Sequence, residues 1–82
     1  MKTVWLQSSG QLFLIQRFDD GSYGVELDDE FLGFVARADR AYIAISGDDG
    51  AVVGEASTLG LAANILAGRL VEVERAVALS AA

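Results

Sequence analysis

LFLIQRFDDGSYGVEL, residues 12–27, reads as a strand, a tight turn and a second strand. Asp20-Gly21 is the dipeptide that best supplies the two positive φ values of a type I′ turn, and apolar and aromatic residues flank it on both sides. With these two residues central, Phe18 is expected opposite Tyr23, Gln16 opposite Val25 and Leu14 opposite Leu27, all on one face. Phe13, Ile15, Arg17 and Glu26 then take the other face.

A shift of 29 residues lays 12–27 on AYIAISGDDGAVVGEA, residues 41–56. Asp19, Asp20, Gly21 and Glu26 fall on Asp48, Asp49, Gly50 and Glu55, so both segments are expected to form the same shape. Ile43, Ile45 and Val52 extend the first face, while Tyr42, Ala44, Val53 and Glu55 extend the second. The first face is the more apolar, and a helix is expected to cover it.

The remaining strands follow from β-branched and aromatic runs between polar breaks. TVWLQ (3–7) closes at SSG, and FLGFVARA (31–38) follows DDE and turns at DR into AYIAIS (41–46). From residue 57 the period changes. Ser57 or Thr58 is a good N-cap, and Leu59, Ala62, Leu66, Leu70, Val73 and Val77 recur at the spacing of one helical face. Gly68 and the alternating LVEVE at 70–74 argue for an earlier helix end, whereas ERAVAL favours continuation to about 79. The expected fold is α+β: an antiparallel meander of five or six strands over about 3–56, packed against one C-terminal helix over about 58–79. With no linker composition in its 82 residues, the chain is expected to form a single domain, 1–82.

Composition narrows the chemistry. The sequence contains neither cysteine nor histidine, which removes thiolate ligands, disulfides, the commonest general base and the usual imidazole ligand. Twelve acidic against six basic residues give a net charge of −6, and the basic residues are scattered along the chain. Direct nucleic-acid binding is not expected, because a basic patch supplies that affinity by releasing counterions. No apolar run approaches the 18 or so residues of a membrane span, and the N-terminal run is broken by Gln7, Ser8 and Ser9, so a cytoplasmic location is expected.

The paired aspartates resemble an acidic site, yet turn geometry explains them, since Asp tolerates left-handed backbone and bonds to its own chain. DDGSYGVELDDE lacks the spaced oxygen ligands of a calcium loop, so no metal is expected. Carboxylates on exposed turn tips have nothing to raise their pKa, and no serine has a histidine to activate it. Gly24, Gly33 and Gly54 form no phosphate loop. No catalytic residue and no cofactor are assigned, and the chain is expected not to be an enzyme.

Alternation places Trp5 opposite in direction to Val4 and Leu6, on the second face with Phe13, Ile15 and Tyr42. These four residues are the expected protein-binding set of an interaction module that forms a homodimer through its outer sheet face. Binding to a different protein partner is the related possibility. Two other readings are a small acidic inhibitor, of phage or mobile-element type, of a nucleic-acid-binding protein, and a half barrel holding a small ligand between Trp5, Phe13 and Tyr42.

Overall fold

The computed structural model describes residues 2–68. Six strands, β1 (Lys2–Ser8), β2 (Gln11–Arg17), β3 (Tyr23–Leu27), β4 (Glu30–Ala38), β5 (Ala41–Ser46) and β6 (Val52–Ala56), form one sheet in sequence order. Every neighbouring pair is antiparallel, so among the described residues the sheet is an open meander with β1 and β6 as its edges. Residues 59–68 form helix α1, which packs on one side of the sheet and completes the α+β fold.

Two-residue turns close three of the hairpins. Ser9 and Gly10 take φ of 52° and 79°, and Asp28 and Asp29 take 52° and 65°, the left-handed values of a type I′ turn. Asp39 begins the β4–β5 turn at φ 54°.

The β2–β3 hairpin departs from the expected two-residue loop. The Phe18 N–H donates to the Ser22 carbonyl (2.9 Å) and the Gly21 N–H to the Phe18 carbonyl (3.1 Å), with Gly21 at φ 89°. This is a three-residue loop, a tight turn followed by a left-handed glycine. Arg17 therefore pairs with Tyr23, Ile15 with Val25 and Leu14 with Glu26, one position away from the expected register. The second DDG segment closes differently again: Ser46 N–H donates to Ala51 O (2.9 Å) across residues 47–50. The two segments resemble one another in sequence and differ in loop length.

A one-residue slip in pairing changes which side chains share a face. Phe13, Ile15, Val25, Val35 and Ala44 lie together and are fully buried. α1 covers this side, with Ala62, Ala63, Leu66 and Ala67 buried against it. The helix thus covers the face holding Phe13 and Ile15, opposite to the one expected. Burial of each large side chain contributes roughly 1.5–3 kcal/mol. Two register shifts add to this layer, because Leu32 in β4 and Val53 in β6 are extra residues that both pack on the core.

The start of α1 follows its sequence signal. The Leu61 N–H donates to Thr58 Oγ1 (3.2 Å) and the Ala62 N–H to the Thr58 carbonyl (3.1 Å), so Thr58 is the N-cap. Small residues let the helix approach closely: a Cβ at Gly54 would lie 3.1 Å from Ile65 Cγ2. Asn64 Nδ2 donates to Ser8 Oγ (2.8 Å) and Ser9 Oγ (3.0 Å), pinning the helix to the β1–β2 turn. The expected stripe holds at Leu59, Ala62 and Leu66. Leu70, Val73 and Val77, and the choice of helix or strand at 70–79, lie outside the described residues.

Candidate functional site

The side of the sheet away from α1 is apolar along two cross-strand rows. Trp5, Leu14, Glu26 and Phe31 are neighbours in one row. Gln16, Gly24, Phe34, Ile45 and Val52 form the next. Trp5 and Val52 are each 66% exposed, Leu12 53%, Phe31 45% and Phe34 40%.

Three phenylalanines converge at the middle of this face. Phe31 and Phe34 meet edge to face with centroids 5.0 Å apart, and Phe18 tilts against Phe34 at 6.4 Å. Gly24 makes room for them, since a Cβ there would lie 3.3 Å from Phe18 Cζ and 3.6 Å from Phe31 Cε1. The rings shield the bare backbone of the glycine, the arrangement in which an aromatic neighbour compensates a strand glycine. Such ring pairs add about 0.5–1.5 kcal/mol beyond their buried area.

Of the expected binding residues, Trp5 alone stands on this face. Phe13 and Ile15 are fully buried in the layer under α1, and Tyr42 is half-buried on the same side. The two-residue turn expected at Asp20-Gly21 puts Phe13 and Ile15 out of phase with Val25. The three-residue loop puts them in phase with it. Trp5, Phe13 and Tyr42 do not line one pocket, because the β1–β2 register pairs Trp5 with Leu14 and turns it away from Phe13. Leu12, Leu14, Phe18, Phe31, Phe34, Ile45 and Val52 stand on the outer face and lie outside the set expected from the sequence. The Phe31-Leu32-Gly33-Phe34 run carried the missing signal, because both aromatics share a face only if a bulge intervenes.

On the helix side of the sheet, folding gathers cations that are scattered in sequence. Lys2 pairs with Arg17, Arg17 with Tyr23, and Arg37 with Tyr42, whose ring lies 5.4 Å from the Arg37 guanidinium carbon. Tyr23 and Tyr42 are 6.4 Å apart. Asp20 and Asp39 line the same recess as Arg17 and Arg37, so its formal charge is balanced.

The aspartates at the turns are structural. Ser22 Oγ–H (2.6 Å) and the Ser22 N–H (2.9 Å) both donate to Asp20 Oδ1. These bonds, the hydroxyl one foremost, hold the Asp20 pKa below its ordinary value, the direction opposite to that of a general acid. The Ala51 N–H donates to Asp49 Oδ1 (3.0 Å) in the equivalent role. Among the described residues no group of three or more acidic side chains is placed to hold a metal ion. An open recess of about 590 Å³ at the β4–β5 turn is lined by Arg40, Ile43 and Glu55 among others. No helix among the described residues is long and apolar enough to cross a membrane.

The chain matches no protein-family model, no curated protein and no solved structure.

Proposed function

We propose that this chain is a non-enzymatic protein-interaction module that self-associates through the outer face of its sheet. The observation that carries the proposal is the row of large apolar groups, Trp5, Leu12, Phe31, Phe34 and Val52, left 40–66% exposed on that face. Together they present on the order of 500 Å² of apolar surface, comparable with the largest patches on monomeric proteins, which are often functional. With the half-buried Leu14, Phe18 and Ile45 around them, the face approaches the roughly 800 Å² per partner of a stable complex. A second copy supplies the complementary apolar surface.

Charge favours this face over an electrostatic mode of action. Lys2, Arg17 and Arg37 lie on the helix side, and Arg40 stands at the β4–β5 turn beside Ile43 and Glu55, at one end of the outer face. The described aspartates are divided between the two ends of the sheet, Asp28, Asp29, Asp48 and Asp49 at one and Asp19, Asp20 and Asp39 at the other, and lie in loops away from the apolar rows.

Light scattering coupled to size exclusion tests the proposal. The wild type is expected to elute with a multiple of the one-chain mass. Phe34→Glu with Val52→Glu should halve that mass with the far-ultraviolet circular dichroism unchanged. A wild type of one-chain mass at high concentration rejects self-association.

A further inference from the structure

We infer that the free edge of β1 pairs with the β1 edge of a second copy, antiparallel and centred on Trp5. The hydrogen-bond phase of the β1–β2 hairpin sets which groups are available. The Ser9-Gly10 turn makes Ser8 and Gln11 a hydrogen-bonded pair, and such pairs alternate along an antiparallel ladder. Leu6 and Val4 therefore bond to β2, and the N–H and C=O of Thr3, Trp5 and Gln7 point out from the sheet.

The two edges are unequal. β6 has five residues, carries the extra residue Val53 in its pairing with β5, and has its Gly54 beneath Ile65. Bulges and covering elements of this kind block strand addition. β1 has seven residues in unbroken register, with Lys2, Thr3, Val4 and Trp5 all exposed and Lys2 its one charge. Among the described residues nothing but β2 pairs with it.

β1 is also complementary to itself. A two-fold axis through Trp5 sets Thr3 opposite Gln7 of the other copy and Trp5 opposite Trp5. Both pairs are in the phase that joins their free backbone groups. Val4, 41% exposed on the helix side, then meets Leu6 of the other copy. Because the axis is perpendicular to the sheet, the two outer faces lie on the same side of one continuous sheet. Edge pairing is therefore compatible with outer-face contact and independent of it.

Proline at an outward-pointing position removes an edge donor and spares the β1–β2 ladder. Thr3→Pro, which leaves the apolar face intact, is expected to halve the wild-type mass in light scattering. With both contacts made the wild type is a four-chain assembly, so the outer-face variant Phe34→Glu with Val52→Glu should also halve its mass, leaving an edge-paired dimer. In wild-type protein the Trp5 and Gln7 amides should exchange with solvent more slowly as concentration rises, a readout that stands even if Thr3→Pro fails to fold. A folded Thr3→Pro of unchanged mass, Trp5 and Gln7 amides that exchange independently of concentration, or a wild type of one-chain mass would each overturn the inference.

Discussion

The Phe18 N–H donates to the Ser22 carbonyl at 2.9 Å, and Ile15 consequently faces Val25 across the β2–β3 hairpin. With a two-residue loop, Gln16 would have faced Val25 and the apolar residues of the two strands would have been split between opposite sides. The additional loop residue brings Phe13, Ile15, Val25 and Val35 into one layer beneath the helix. Gly21 makes this possible, because its φ of 89° is one that side-chain-bearing residues adopt at a cost.

Phe13 and Phe34 should therefore respond differently to truncation. Phe13→Ala opens a cavity in a fully buried site and is expected to lower stability by about 3–5 kcal/mol in urea unfolding. Phe34→Ala, at a position 40% exposed, should cost well under half as much. Equal losses from the two variants would show that the buried face has been misidentified.

The strand segments and the helix start were legible in the sequence, because alternation, turn dipeptides and the Thr58 cap are local signals. The faces were not. Asp20-Gly21 suits both a two-residue loop and the last two positions of a three-residue loop, and composition does not separate them. Leu32 and Val53 raised the same difficulty, since a bulge leaves only faint local marks, here the neighbouring Gly33 and Gly54 and the spacing of Phe31 and Phe34. The expected grouping of Trp5 with Phe13, Ile15 and Tyr42 fails as well, because the two-residue β1–β2 turn pairs Trp5 with Leu14 on the opposite face. The gathering of Lys2, Arg17 and Arg37 depends on pairing across three separate hairpins, so no window of sequence contains it.

Asp20 should contribute a pH-dependent part of the stability of the β2–β3 loop. Its pKa is lower folded than unfolded, so the unfolded chain binds the proton more readily. The contribution is complete above the ordinary value of 3.8 and is lost as pH falls through the lower folded value. In a carboxyl NMR titration, Ser22→Ala should move the Asp20 midpoint back up towards the ordinary value, because the hydroxyl bond is the largest cause of the shift. An unmoved midpoint would mean that another donor holds the carboxylate.

Glu26 offers the sharpest test of the outer face. It stands half-buried between Leu14 and Phe31, in the same row as Trp5, with no described cation in that row. Contact with a second apolar face would take this carboxylate from water without a counter-charge, which is costly for an ionised group. Glu26→Gln keeps the length and hydrogen-bonding capacity and removes the charge. It should tighten self-association on the order of tenfold, or about 1.4 kcal/mol, in sedimentation equilibrium at neutral pH. Added salt should tighten the wild-type assembly as well, since each copy carries −6 and the repulsion is screened. An acidic inhibitor gripping a basic partner would show the opposite pair of responses: weaker binding with salt, and weaker binding for Glu26→Gln if a cation of the partner sits against that carboxylate. Self-association that weakens in the Gln variant would mean that Glu26 is paired across the contact, and the apolar face-to-face arrangement would have to be abandoned.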